Sequence, residues 1–251
     1  MDFRDWIYER GGAVRAADAA AAGFTFHGIR TAIAAGHVVR VRKNWLLTPG
    51  VDPIVRRAID PGGRITCVTE AGRRGLWVPP GSSSPTVVHL AVPATSSGDA
   101  AQGVARHWSP GPTPVARWAL AAPVVNVLFH VARCLPRDDA LVIWESAIRG
   151  ALGAAETLRG IRWGSTPARV LADMAWELSD SGLETRFVSL MRSLGVAVRQ
   201  QVEIDGHRVD GLIGEMLVVQ LDGFAFHTAA ARRRDLEHDA RLVLRGYTVL
   251  R

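Results

Sequence analysis

The chain has 251 residues, an apolar fraction of 48% and a formal net charge of +6 at pH 7. This length allows a sizeable core and two or three small domains. No apolar run approaches the roughly 18 residues that span a bilayer, and the charged N-terminal segment is unlike a secretion signal, so we expect a cytoplasmic protein. Cys67 and Cys134 lie far apart in the sequence, which favours a reducing compartment over a disulfide framework or a zinc site.

The basic charge is compatible with binding a polyanion such as DNA. Lys43 is the only lysine, so every other basic side chain apart from histidine is an arginine. Together with the abundance of Ala, Gly and Val, this composition also indicates high-GC codon bias. The charge alone therefore leaves both interpretations open.

Residues 1–51 show the pattern of three short helices followed by a basic hairpin. The three predicted helices are DFRDWIYERGG, VRAADAAAAG and FTFHGIRTAIAAGH, and glycines end them at Gly11–Gly12, Gly23 and Gly36. The segment VVRVRKNWLLTP then alternates valine with arginine, and Lys43–Asn44 is suited to the hairpin tip. This order predicts a winged helix-turn-helix.

The third predicted helix carries a small, polar and basic face. Four of its residues share that face at the spacing i, i+3, i+4, i+7: His27, Arg30, Thr31 and Ala34. Ile29 and Ile33 would pack inward. Such a face suits the DNA major groove, although an ordinary amphipathic helix would show it too. With the hairpin that follows, it predicts DNA binding through His27, Arg30, Thr31, Arg40, Arg42 and Lys43.

Residues 52–165 predict a middle α/β region without a recognisable ligand spacing. Its expected elements are a helix over DPIVRRAID, a strand over TVVHLAVP, and helices over VVNVLFHVARCL and ALVIWESAIRGAL. His89, His107 and His130 stand isolated in the sequence, so we predict structural roles for all three.

Residues 166–251 predict a last domain in which strands that form a hairpin lie between two helices, with a final strand at the end. The helix LETRFVSLMRSLG places Leu183, Phe187, Leu190 and Leu194 at core spacing. A turn near Gly214–Glu215 would place Asp210 across from Val219 and Gln220.

Acidic residues converge on this predicted hairpin. Phosphodiester hydrolysis needs a divalent cation that polarises the phosphate and activates water, and Mg²⁺ prefers carboxylate and other hard oxygen ligands. Asp210 and Asp222 would supply carboxylates from neighbouring strands, and Glu184 and Asp235 would approach from the two helices. His227 is suited to general acid or base catalysis.

A solvated polar face is the alternative interpretation of these acids. Ion-pair networks also cluster carboxylates, and the arginine run Arg232–Arg234 offers partners. Both interpretations stay open at this point.

The segment from Glu184 to Arg251 resembles the very-short-patch-repair-like (Vsr-like) endonuclease branch of the PD-(D/E)XK nuclease fold. The matching stretches are ETRFVSLMRSLG, the strand pair RVD and VVQLDG, then FH, RRRD and GYTVLR. The resemblance implies a restriction-endonuclease-like fold, in which a mixed sheet is flanked by helices. It also implies that the domain cleaves double-stranded DNA with Mg²⁺ or Mn²⁺ as cofactor.

The resemblance also implies roles for single residues. Asp210 is implied as the metal-binding aspartate, joined by Asp222 and the carbonyl of Leu221. Asp222 stands where the fold's lysine, or a Vsr enzyme's histidine, would stand. His227 and Asp235 fall on the second catalytic histidine and the helix acid.

Gln220 departs from the family pattern. Chains of this kind usually read E-x-D-G where this one reads Gln220-Leu221-Asp222-Gly223. An amide oxygen can coordinate a cation but carries no charge, so the affinity for metal should fall. Either Asp210, the Leu221 carbonyl and waters still hold the metal, or the site has decayed and the module only binds or supports the fold.

Residues 1–51 are similar to the winged-helix domain of AbiEi-like regulators, which are the antitoxin partners in toxin–antitoxin pairs. This similarity implies a partner toxin and a regulatory function without catalysis as the main alternative. A scaffold for protein interaction is a third. The fold expected from the whole sequence is α+β, with an N-terminal winged helix over 1–51, a middle α/β region over 52–165 and a nuclease-like domain over 166–251.

Overall fold

The computed structural model describes residues 2–94, 102–116, 119–152, 154–176, 182–221 and 229–251, with the backbone alone at residues 151 and 229–235. The architecture of these residues is α+β, with three small open sheets. The chain divides into two compact units, one of residues 1–73 and 83–130 and one of residues 74–82 and 131–251. The division into three domains, over residues 1–51, 52–165 and 166–251, stays a prediction.

The first unit begins with three helices and a three-stranded antiparallel sheet. Its elements are α1 (Phe3–Tyr8), β1 (Ala13–Arg15), α2 (Ala16–Ala21), α3 (Phe26–Ala34), β2 (Val39–Val41) and β3 (Trp45–Leu47). The strand order is β1-β3-β2. Thr25 caps α3 by accepting a hydrogen bond from the amide of Gly28, and Gly36 follows the helix with a φ of 73°.

The three helices and the hairpin predicted for this segment are confirmed, with one correction. The second helix was expected over the whole stretch VRAADAAAAG, but Ala13–Arg15 form β1 and pair with Trp45–Leu47. Tertiary pairing therefore overrides the helix propensity of this alanine-rich stretch at its start.

The remainder of the first unit surrounds a second small sheet. It contains α4 (Pro53–Ile59), β4 (Arg64–Ile65), α5 (Cys67–Arg73), β5 (Val88–Ala91), β6 (Val104–His107) and the start of α6 (Val124–Cys134), the helix in which the division between units falls. The strand order is β4-β5-β6, with β4 antiparallel and β6 parallel to β5. Val88, Leu90 and Val92 enter the core with Ala58 and Ile59 of α4.

The second unit joins a group of helices to a four-stranded mixed sheet. Its elements are α7 (Arg137–Ala147), a π-helical turn (Ile148–Leu152), α8 (Ala155–Arg159), α9 (Thr166–Met174), α10 (Gly182–Ser193), β7 (Val198–Ile204), β8 (His207–Ile213), β9 (Leu217–Val219), α11 (Ala229–Leu244) and β10 (Thr248–Leu250). The sheet order is β10-β9-β8-β7. Strands β7, β8 and β9 form an antiparallel meander, and β10 pairs parallel to β9 after the crossover through α11.

The buried face of α10 is not the leucine stripe that its sequence predicts. Leu183, Leu190 and Leu194 are 39%, 54% and 65% exposed, so their assignment to the core was wrong. The residues of α10 that are buried are small or polar: Gly182, Glu184, Thr185 and Ser189.

Close packing explains this choice of face. The hydroxyl of Thr185 donates to the carboxylate of Glu145 on α7, with the oxygens 2.5 Å apart. A Cβ atom at Gly182 would lie 2.4 Å from the indole of Trp77. Only small residues permit so short an approach between a helix and its neighbours. No helix in the described ranges is long and apolar enough to cross a membrane.

Candidate functional site

Asp210 lies in the middle of β8, at the point where the neighbouring β9 ends. The antiparallel register pairs Gly211 with Val219, so Asp210 is level with Gln220, as the sequence predicts. One carboxylate oxygen of Asp210 accepts a hydrogen bond from the amide of Leu221 at 2.6 Å. A hydrogen bond to an ionised carboxylate is short and strong. The structure therefore brings Asp210, Gln220 and Leu221 together, and all three are half-buried.

Gln220 is tied to the opposite neighbour of β9. The backbone amide of Gln220 donates to the carbonyl of Leu250 at 2.8 Å, and this bond continues the parallel pairing with β10. Because its backbone is fixed by the sheet, the side chain of Gln220 starts from a defined position beside Asp210.

Glu184 reaches the sheet through Gln201. Glu184 is 5% exposed and accepts a hydrogen bond from the side-chain amide of Gln201 at 3.0 Å. The register pairs Gln200 with Gly211 and Val202 with Val209, so Gln201 is level with Asp210 on the other side of β8. Gln201 has a φ of 51°, an uncommon conformation for a side-chain-bearing residue in a strand.

The structure does not describe the side chains of the remaining predicted acids or of the predicted histidine. Asp222 and His227 lie outside the described residues. Asp235 is in α11, and its side chain is likewise outside the described part of the structure. Their predicted roles stay predictions.

The predicted recognition face lies on the surface of α3. His27, Arg30, Thr31 and Ala34 are all exposed, and Ile29 is buried in the core with the helices of this segment. The hydroxyl of Thr31 donates to the carbonyl of His27 at 3.1 Å. Phe26, at the start of α3, is 70% exposed.

The basic hairpin has a three-residue tip formed by Arg42, Lys43 and Asn44, between β2 and β3. Arg42 and Lys43 have positive φ values of 47° and 61°. Arg40 donates to the carbonyl of Lys43 at 2.8 Å within the hairpin. Arg42 donates to the carbonyl of Asp60 at 2.8 Å, so its side chain anchors the hairpin to the end of α4. Arg40, Arg42 and Lys43 are exposed.

Sequence reasoning missed a second cluster in the first unit. His89 and His107 were expected to be isolated, but Nδ1 of His89 lies 3.2 Å from Nε2 of His107. The thiol of Cys67 lies within 4.8 Å of one ring nitrogen of each histidine. No motif spacing marks Cys67, His89 and His107, because sheet register rather than local sequence brings the two histidines together.

A buried carboxyl group was also missed. Glu145 is 6% exposed and lines a cavity of about 240 Å³ together with Trp176, Thr185 and Arg192. Burial raises the pKa of Glu145 above its ordinary value, and hydrogen bonds from Thr185 and the Trp176 amide oppose the rise in part. An apolar helix gives no sequence signal for the role of one buried acid.

No protein-family model matches this chain, and a search of curated proteins finds no significant match.

Proposed function

We propose that this chain binds double-stranded DNA through its N-terminal segment and hydrolyses phosphodiester bonds at Asp210 in a Vsr-like nuclease domain. The observation that carries the proposal is the placement of Asp210 on β8 beside the end of β9. A helix precedes the β7-β8-β9 meander, and a second helix leads to the parallel strand β10. This order of elements is the one that the resemblance of residues 184–251 implies.

The N-terminal segment supports the DNA-binding part of the proposal. Three helices precede a basic hairpin formed by β2 and β3. The sheet order β1-β3-β2 places this hairpin beside β1, the strand between α1 and α2. This is the arrangement expected of a winged helix-turn-helix, in which α3 enters the major groove. Arg30 is exposed on α3 for base contacts, and Arg40 and Lys43 are exposed on the hairpin for phosphate contacts.

The donor chemistry around Asp210 fits a hard divalent cation. The carboxylate of Asp210, the side-chain amide of Gln220 and the carbonyl of Leu221 would offer oxygen ligands, the type that Mg²⁺ and Mn²⁺ prefer. When bound, such a cation would stabilise charge on a phosphate and lower the pKa of water. Asp210 would position the ion, and the buried Glu184 would hold Gln201 and the strand beside Asp210 in place.

A regulator without catalytic activity is the second candidate. Gln220 brings no charge, and the Leu221 amide already bonds to one carboxylate oxygen of Asp210. These observations favour an AbiEi-like antitoxin or transcriptional regulator that binds DNA, and a partner toxin, with a decayed nuclease domain.

The test is calorimetric titration of the full chain with Mn²⁺, beside cleavage of plasmid DNA in Mg²⁺ and in Mn²⁺. Gln220→Glu should raise metal affinity and cleavage, because it adds a charged oxygen level with Asp210. Asp210→Asn should abolish both. Glu203→Gln is the matched control, because it neutralises an exposed acid on β7 of the same sheet and should change neither.

The outcomes separate the two candidates. Absence of metal binding and cleavage in both wild type and Gln220→Glu would reject the nuclease and leave the regulator. A gel shift with duplex DNA in the absence of metal tests the DNA-binding part by itself. Arg30→Ala should change the sequence preference in that assay, and failure of wild type to shift any duplex would reject both candidates.

A further inference from the structure

We propose that a cavity in the second unit binds a small zwitterion of the aliphatic α-amino acid class, with Glu145 and Arg192 as its charged partners. This proposal is independent of the nuclease and of DNA binding. Both side chains line the same cavity, which has a volume of about 240 Å³. The ammonium group of the ligand would pair with the carboxylate of Glu145, and the ligand's carboxylate would pair with the guanidinium of Arg192.

The cavity lies where α7 and α10 pack together, and its lining residues all belong to the second unit. Leu141 and Glu145 are four residues apart on α7 and so share one helical face. The face that α10 turns to the cavity consists of residues at the spacing i, i+3, i+4, i+7: Thr185, Val188, Ser189 and Arg192. Helices therefore form much of the wall, and they hold side chains more precisely than loops do.

Glu145 places a poorly hydrated carboxylate in the cavity wall. Its two oxygens accept hydrogen bonds from neutral donors, the Trp176 amide at 3.2 Å and the Thr185 hydroxyl at 2.5 Å. These donors do not compensate for the lost hydration, because burial still raises the pKa of Glu145. A carboxylate offers about four lone-pair sites, so an ammonium group can donate to the same oxygens and supply the missing positive charge.

Arg192 gives the exposed end of the cavity a positive charge. It lies two turns along α10 from Thr185, and its side chain is exposed. Burial raises the pKa of Glu145, and the charge of Arg192 opposes this rise in part, so the two groups interact across the cavity. A simple cation at Glu145 would be repelled by Arg192, whereas a zwitterion places an opposite charge beside each of them.

The volume and the apolar part of the lining determine the size and type of the ligand. A cavity of about 150 Å³ accommodates benzene, so the 240 Å³ here admits a ligand of roughly nine non-hydrogen atoms. Leu141, Met174 and Val188 provide apolar wall for an aliphatic side chain. Leucine and valine have this size, and each combines an ammonium group, a carboxylate and a branched aliphatic side chain.

Contacts within the second unit hold the part of the wall that contains Trp176. The guanidinium of Arg159 lies 4.5 Å from the centre of the Trp176 indole and donates to the carbonyl of Ala175 at 3.3 Å. The Trp176 amide is itself bonded to Glu145. A wall that is ordered before the ligand arrives lowers the entropic cost of binding.

Calorimetric titration of the full wild-type chain with leucine and with valine tests the site. Two analogues separate the charged groups of leucine: isoamylamine lacks the carboxylate, and isocaproate lacks the ammonium group. Leucine should bind most tightly, isoamylamine more weakly, and isocaproate weakest, because its only charge is repelled by Glu145. Leucine should also raise the melting temperature of the wild type, since it binds only the folded state.

Variants assign the two charged partners. Glu145→Gln should weaken leucine and isoamylamine by about 10- to 100-fold, the usual contribution of a hydrogen bond to a charged group. Arg192→Gln should weaken leucine by roughly two- to fivefold, since an exposed pair contributes less, and should not weaken isoamylamine. The matched controls are Glu156→Gln on α8 and Arg186→Gln on α10, which change exposed side chains outside the cavity and should leave binding unchanged.

Three results would overturn the proposal. They are an absence of binding by both leucine and valine at millimolar concentration, binding of isocaproate as tight as that of leucine, and undiminished leucine binding in Glu145→Gln. The first two are measured on the folded wild type, so they decide the question even if circular dichroism shows that Glu145→Gln does not fold.

Discussion

At the scale of single residues, Glu145 shows how burial controls a titrating group. The carboxylate accepts hydrogen bonds from the Thr185 hydroxyl at 2.5 Å and from the Trp176 amide at 3.2 Å. Loss of hydration still dominates and raises the pKa of Glu145 above the ordinary value of 4.5. Because the folded state then binds a proton more tightly than the unfolded chain, protonation of Glu145 favours folding.

We predict that Glu145→Gln changes the pH dependence of stability. In the wild type, the contribution of the protonated form is fully present below pH 4.5 and is lost as the pH rises through the raised pKa of the folded state. Glutamine can accept from the Trp176 amide and donate to Thr185, so both hydrogen bonds can persist. The variant should therefore lose less stability than the wild type between pH 4.5 and neutrality.

Urea unfolding at a series of pH values measures this effect. Glu156→Gln is the control, because that acid is largely exposed and ion-paired to Arg159 on α8. A variant whose stability falls with pH as steeply as that of the wild type would show that Glu145 does not titrate as its burial implies.

At the scale of secondary-structure elements, the basic hairpin combines anchoring and exposed charge. Arg42 reaches back to Asp60, whereas Lys43 makes no side-chain contact of that kind among the described hydrogen bonds. We predict that Arg42→Ala lowers the free energy of unfolding by about 1 kcal/mol, the usual contribution of one hydrogen bond. Lys43→Ala should stay within about 0.5 kcal/mol of the wild type.

The two variants should differ in DNA binding for the same reason. Lys43→Ala removes an exposed charge and should weaken binding to all duplex sequences without unfolding the hairpin. Denaturant unfolding and gel shifts on both variants check this division. Equal stability of the two would show that the contact from Arg42 to Asp60 does not hold the hairpin.

Helix α10 shows why a sequence can predict a helix correctly and its buried face wrongly. The periodicity of its sequence gives the helix and its approximate bounds, because a helix depends on local spacing. The choice between the leucine stripe and the small polar face depends on Trp77 and Glu145, which are distant in sequence. In the same way, β1 depends on a partner strand that follows it by some thirty residues.

At the scale of the whole molecule, the sequence predicts the order of elements better than the grouping of side chains. The hairpin of β8 and β9 and the position of Asp210 beside Gln220 follow from alternation and a turn at Gly214. The cluster of Cys67, His89 and His107 does not, because its members come from two strands and one helix. Parallel strands in particular bring together residues whose separation in the sequence does not indicate that they are in contact.

The salt dependence of DNA binding distinguishes a local DNA site from the general basicity of a chain with net charge +6. Each phosphate contact contributes about 0.9 to the slope of log affinity against log salt for duplex DNA. If Arg40 and Lys43 each contact one phosphate, the double variant Arg40→Ala/Lys43→Ala should lower that slope by roughly 1.8. Arg162→Ala/Arg169→Ala removes the same charge from exposed positions in the second unit and should leave the slope unchanged. Equal slopes for the two double variants, measured by fluorescence anisotropy from low to moderate salt, would show that net charge rather than the hairpin drives the binding.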